Sequence, residues 1–224
     1  VISRLPKWVE FGAFLLAQLA GVVNAIGLLG FSHQAVSHIS GTVTLLGASL
    51  GTLNGQAMHM ALVVLSFLLG AMLSGLFIES TALKLGRRYG VALCLEAGLL
   101  FLSYLALKNG DLSGQYFASA ACGLQNAMIS TFSGAVVRTT HMTGIVTDLG
   151  IMIGARLRGE HFDFRKAKLF LFILFGFLSG GVIGAKLYVE HGLSTLLLPI
   201  GYALALACAY WSYLYWVSRS KSTP

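Results

Sequence analysis

Apolar positions in this chain do not alternate with polar ones at the period of a half-buried strand or a surface helix; they run on in long blocks. The strong blocks are 11–32, 57–78, 90–107, 115–137, 169–188 and 193–217. A helix of about 20 apolar residues crosses the roughly 30 Å of bilayer hydrocarbon, so each block predicts a transmembrane helix. Two weaker blocks, 39–53 and 142–155, are short and rich in Gly, Ser and Thr. The pattern predicts an all-α polytopic membrane protein, a single membrane domain over 1–224.

Composition agrees, since 10% of the 224 residues are charged against about 25% in soluble domains. A soluble enzyme and a disordered tail are excluded. The net charge of +7 lies in short clusters between apolar blocks, without a basic helix or interleaved aromatics, so it reports topology rather than nucleic acid. With six spans and a cytoplasmic N-terminus, thirteen of the fifteen Lys and Arg face the cytoplasm, leaving only Lys108 and Lys186 outside. Counting the weak blocks as spans would move the 84–88 cluster and Arg138 outside, against the positive-inside rule. Six spans with both termini cytoplasmic follow, the first too long for a cleaved signal. The weak blocks then become half-membrane elements, one entered from outside after the first span and one from inside after the fourth. Backbone at that depth must be buried in protein or line a wet cavity, and neither block has the charged face of an interfacial helix.

The chain also repeats itself. Residues 37–47 align without gaps on 140–150, with six of eleven positions identical and two Ser/Thr exchanges. Gly21 and Asn24-Ala25 match Gly123 and Asn126-Ala127, and Gly70 with Ser74-Gly75 matches Gly176 with Gly180-Gly181. The halves, 9–108 and 113–217, hold three spans each, and an odd number makes the second half enter the membrane from the opposite side. Such 3+3 inverted repeats build many transporters, with the solute site near the midplane where interrupted helices meet.

The Asn24-Ala25, His38-Ile39-Ser40-Gly41 and Gln125-Asn126-Ala127 segments, and above all the run Arg138-Thr139-Thr140-His141-Met142-Thr143-Gly144, resemble the paired signatures of the YoaK-like bacterial membrane proteins, domain of unknown function 1275. The resemblance covers essentially the whole chain and implies a six-helix protein of the bacterial cytoplasmic membrane; it implies no activity. The first copy departs from the family's Thr-Gly-Asn with Ser40-Gly41-Thr42.

Within each copy, Ser40 or Thr143 followed by Gly41 or Gly144 precedes an apolar helical stretch. The hydroxyl can cap that helix and the glycine permits close approach. A half-helix ending inside the membrane presents free N–H groups and a partial positive charge that attract an anion or a polarised oxygen. His38 and His141 stand just before these positions and can donate to a solute or carry a proton. Asn24, Asn126 and the neighbouring Gln125 donate and accept, and Thr44 and Thr147 add hydroxyls one turn further on. Asp148 stands where the first copy has Leu45; an acid at membrane depth marks a pathway or proton relay, with Arg138 as structural ion-pair partner or His141 beside it. Glu96 in the third span is the second candidate for proton coupling. The aromatic run from Tyr210 to Trp216 reads as an interfacial belt. Cys94, Cys122 and Cys208 lie in apolar blocks without metal-ligand spacing, so neither metal nor cofactor is expected.

The expected function is a transporter or channel for a small polar or anionic solute, with proton coupling as an option. The alternative is a non-transport scaffold or a membrane protein acting on lipid. No nucleophile–base pair or nucleotide loop stands in the sequence, so an enzyme is not expected. The expected partners are the solute and membrane lipids, not nucleic acid, and self-association is left open.

Overall fold

The computed structural model describes residues 7–30, 36–53, 55–78, 88–133 and 138–220. Arg4, His33, Lys84, Arg87 and Lys221 lie outside the described residues. The described helices are α1 (Lys7–Gly30), α2 (Ile39–Gly51), α3 (Ala57–Phe77), α4 (Arg88–Lys108), α5 (Ser113–Ser133), α6 (Met142–Leu157), α7 (Phe164–His191) and α8 (Leu197–Ser220). A 3-10 turn at Gly192–Leu196 joins the last two, and no strand occurs among the described residues. The protein is all-α.

Six of the described helices have 21 to 28 residues, long enough at 1.5 Å per residue to span about 30 Å. The 13 residues of α2 and 16 of α6 are not. Among the described residues four stretches are both long and apolar enough to cross a membrane: 10–30, 57–77, 88–108 and 164–219, the last holding α7 and α8. α5 has the length but carries Gln115, Ser119, Gln125 and Asn126, which make it the most polar of the six. On α3 the exposed side chains include Leu62, Leu65, Leu68, Leu69, Met72 and Leu76. Water would penalise that face, whereas acyl chains solvate it.

Glycines set the two tightest crossings. Gly21 lies against the carbonyl oxygen of Phe177 and Gly180 against that of Gln18, which brings α1 onto α7. Gly123 lies against the carbonyl oxygen of Phe67 and Gly70 against that of Ala120, which brings α5 onto α3. Small residues let helix backbones touch, the usual device where lipid leaves no hydrophobic force between helices. Gly21 and Gly123 are 102 residues apart, as are Gln18 and Ala120, while Phe67 with Phe177 and Gly70 with Gly180 are 110 apart. Packing therefore equates Gly70 with Gly180, one helical turn beyond the Gly176 of the sequence match. The series Gly176, Gly180, Gly184, spaced by one turn and all packed on α1, explains why the alignment slips.

Polar ends hold the long helices in place. Asp163 caps α7 by accepting from the backbone N–H groups of Arg165 and Lys166 at 3.1 and 3.0 Å. Before α5, Asp111 accepts from the backbone N–H of Ser113 at 2.8 Å, and the Ser113 backbone and hydroxyl hold its carboxyl below the usual range.

Candidate functional site

Side-chain bonds hold Val36 and Ser37, just ahead of α2, below the end of α1. Asn24 lies six residues before the end of α1, about 9 Å along its axis. Its Oδ1 accepts from the hydroxyl of Ser37 at 2.7 Å and from the Ser37 backbone N–H at 3.4 Å. Ser119, six residues into α5, donates its hydroxyl toward the carbonyls of Val63 at 2.9 Å and Val36 at 3.3 Å. α2 therefore begins well inside the bundle. In the second half, Thr139 is fully buried and Asn126, seven residues before the end of α5, faces the start of α6.

The two helix starts open on one cavity of about 400 Å³. Ser37, His38, Ile39 and Ser40 line it from the first half. Asn126, Arg138, Thr140, His141, Met142 and Thr143 line it from the second, and Phe67 of α3 completes the wall. In α2 the Thr42 N–H bonds the carbonyl of His38 at 3.1 Å, and in α6 the Ile145 N–H bonds that of His141 at 3.2 Å. The N–H groups ahead of them have no intrahelical acceptor, so both helices turn a partial positive charge toward the cavity. Arg138 adds a full charge, and among the described residues no carboxylate pairs with it or lines the cavity. The His38 and His141 rings fold back over Gly41 and Gly144, where a Cβ would collide with the imidazole. Glycine after each Ser or Thr leaves the ring its place.

Several expected roles shift. Ser40 and Thr143 are not caps: α2 starts at Ile39 and α6 at Met142, so His38 and His141 are the N-cap residues, and neither helix start has a side-chain cap bond. The first helical bonds are accepted by the histidine carbonyls, which sets each start ahead of the Ser or Thr. Thr44 donates to the Ser40 carbonyl at 2.9 Å inside its own helix; Thr44 and Thr147 are exposed and stand apart from the cavity lining. Gln125 is buried and donates to the Leu16 carbonyl at 2.7 Å, tying α5 to α1.

Asp148 corrects an expectation about its partner. Its side chain is 46% exposed, and its Oδ2 lies 3.7 Å from Nζ of Lys166. Arg138 and His141, its expected partners, line the cavity instead. The pairing arises because the first turn of α7 returns beside α6, a neighbour that local sequence does not reveal. Glu96 is the deeply placed acid, 1% exposed, with no hydrogen-bond partner for Oε2 among the described residues.

Two polar clusters escaped sequence reasoning. Glu10 is nearly buried and lies 3.2 Å from Arg165 and 3.4 Å from Lys168, binding the start of α1 to that of α7. His59 bonds the Tyr116 hydroxyl at 2.9 Å and Oε1 of Gln115 at 3.0 Å, joining the starts of α3 and α5. Both join residues far apart in sequence, so spacing offers no signal. No group of three His, Cys, Asp or Glu side chains able to hold a metal occurs among the described residues.

Residues 12–209 match the family model described as protein of unknown function, DUF1275. The chain belongs to the DUF1275 family. The match runs from α1 into α8 and takes in both helix starts at the cavity, so the site lies wholly within the DUF1275 region. No curated protein and no solved structure matches the chain.

Proposed function

We propose that this DUF1275 protein carries a small polar or anionic solute across a bacterial cytoplasmic membrane. In this reading α1, α3, α4, α5, α7 and α8 span the bilayer as two inverted halves, α2 and α6 are re-entrant half-helices, and both termini are cytoplasmic. The observation that carries it is the single cavity lined by the starts of both short helices together with Arg138. Reciprocal glycine crossings, α1 on α7 and α5 on α3, support the two-fold relation, and inverted halves with a site between broken helices are a common transporter plan.

Helix N-termini, a guanidinium and no lining carboxylate favour negative charge in the cavity. If a proton accompanies the solute, His141 on the cavity wall is better placed to carry it than Asp148, which pairs with Lys166. The deciding experiment is flux into proteoliposomes across a panel of anions, neutral polar solutes and cations, with and without a pH gradient. Uptake of small anions that Arg138→Gln reduces at least tenfold is the expected result; no uptake of any solute by folded protein would leave a scaffold as the better reading.

A further inference from the structure

All but one of the carboxylates among the described residues meet a partner. Glu10, Asp148 and Glu160 pair with Lys or Arg, Glu190 with His191, and Asp111 and Asp163 accept from backbone N–H groups. Glu96 is 1% exposed, and its Oε2 has no hydrogen-bond partner among the described residues. It stands eight residues after the start of α4 and twelve before its end, about 12 Å from the one and about 18 Å from the other. That is near the middle of a helix long and apolar enough to cross a membrane.

Its surroundings are apolar. Gly114 of α5 meets the Ser103 carbonyl and the Leu107 side chain of α4, and the antiparallel run of the two helices sets Glu96 beside Cys122. Cys122 belongs to an apolar cluster with Ala97 and Leu100. From α8, Cys208 and Tyr210 come up to Cys94 and Tyr89. The only titratable side chain of α3, His59, is bonded to α5, and the 3-10 turn has none. None of these groups is Lys or Arg. A carboxylate without a cation is costly at such depth, so the side chain is held as a neutral acid, and an ionisable group there marks a functional position by default. Leucine, as at Leu93 and Leu100 one turn to either side, would fill the seam without that cost.

We propose that Glu96 is the proton-binding group of the transport cycle, holding one proton as a carboxylic acid in the α4–α5 seam and exchanging it with water when the seam opens. The O–H bond breaks with the proton passing to water, and the carboxylate left behind takes up a proton from water on the other side of the membrane. α5 links this group to the solute site: Asn126, one turn after Cys122, lines the cavity, so movement of α5 on α4 reaches both. The proposal rests on the transport reading and adds to it a coupled proton and the residue that holds it.

Dicyclohexylcarbodiimide, an apolar reagent, tests for the acid. The carboxylic acid adds across one C=N bond, its proton passing to nitrogen, and the acyl group then migrates from oxygen to nitrogen, so a stable N-acylurea forms with no leaving group. With the purified full-length protein, peptide mass spectrometry should find the adduct on Glu96, whereas a water-soluble carbodiimide should spare Glu96 and modify the exposed Glu160. The infrared carbonyl band of a buried carboxylic acid should be present and be lost in Glu96→Gln, with the melting temperature kept near that of the wild type; the band decides where the reagent does not reach. In proteoliposomes loaded with the pH dye pyranine and given the solute panel, uptake should bring protons in, and Glu96→Gln should cut that entry at least tenfold while Glu96→Asp restores part of it and Asp148→Asn keeps it. Neither adduct nor band at Glu96 overturns the proposal, as does solute-linked proton entry that persists in folded Glu96→Gln or is lost only in His141→Gln. An adduct on Glu96 in protein that takes up no solute retains the proton site and defeats transport, whereas solute uptake without proton entry retains transport and defeats the coupling.

Discussion

The carbonyl oxygen of Phe67 occupies the space in which a side chain on Gly123 would begin. Gly21 and Phe177 repeat that contact in the other half, so two helix pairs meet backbone to backbone. A methyl group there must push the helices apart, and overpacking of this kind costs about 1–3 kcal/mol or more. Gly123→Ala and Gly21→Ala should each lower the melting temperature in detergent. Gly98→Ala and Gly181→Ala, where nothing lies within 4 Å of the added atom, should leave it unchanged or raise it slightly, since alanine favours helix. Equal effects at all four sites would mean that helix propensity, not contact, governs them.

The two ion-pair clusters on α7 predict a second contrast. Asp148 and Lys166 are 46% and 33% exposed at the side chain, and such pairs contribute about 0–1 kcal/mol. Glu10 is 10% exposed and faces two cations; removing its charge takes the carboxylate away from both, at a cost of about 1–3 kcal/mol after allowing for their own exposure. Glu10→Gln should therefore destabilise the protein clearly and Asp148→Asn only slightly, by thermal melting at low and moderate salt. A larger loss for Asp148→Asn would show that the Lys166 pair is sequestered.

How far the sequence could be read depends on the range of the interaction. Apolar blocks report the environment of whole helices, and the long helices fall close to them; α1 nevertheless begins at Lys7, ahead of its block, because a helix can continue into polar surroundings. The gapless match between 37–47 and 140–150 marks two equivalent settings, and both short helices do start one residue after a histidine. The cap itself was misplaced because Ser-Gly and Thr-Gly look like cap signals, while here the glycine makes room for the imidazole. Partnerships such as Asp148 with Lys166, Glu10 with Arg165 and His59 with Tyr116 depend on how helices cross, which no local spacing encodes.

The proposed topology predicts which loops each side of the membrane can reach. The turn between α4 and α5 holds Gly110, and the segment between α6 and α7 holds Arg158 and Glu160, just after Arg156 in the last turn of α6. Positive residues are retained in the cytoplasm. With Cys94, Cys122 and Cys208 replaced, a cysteine at position 110 should react with an impermeant maleimide in intact cells, and one at position 160 only after permeabilisation. The reverse pattern would invert the whole orientation, and labelling of both in intact cells would remove the odd number of spans between positions 110 and 160.

The final prediction concerns the imidazoles at the cavity mouth. A Cβ on Gly144 would collide with Cδ2 and Nε2 of the His141 ring, so Gly144→Ala must turn that ring out of its place over the first turn of α6. The cost falls on the ring rather than on the helix, because alanine is otherwise favoured in a helical position by about 1 kcal/mol. The two residues should consequently be coupled: Gly144→Ala alone lowers stability, His141→Ala alone changes it modestly, and the double variant regains what the first lost, with an interaction energy of about 0.5–3 kcal/mol. Gly41 and His38 share the arrangement and should give a second cycle of the same sign. If Gly144→Ala stabilises the protein whether or not His141 is present, the ring moves freely and the contact between them does not determine the glycine.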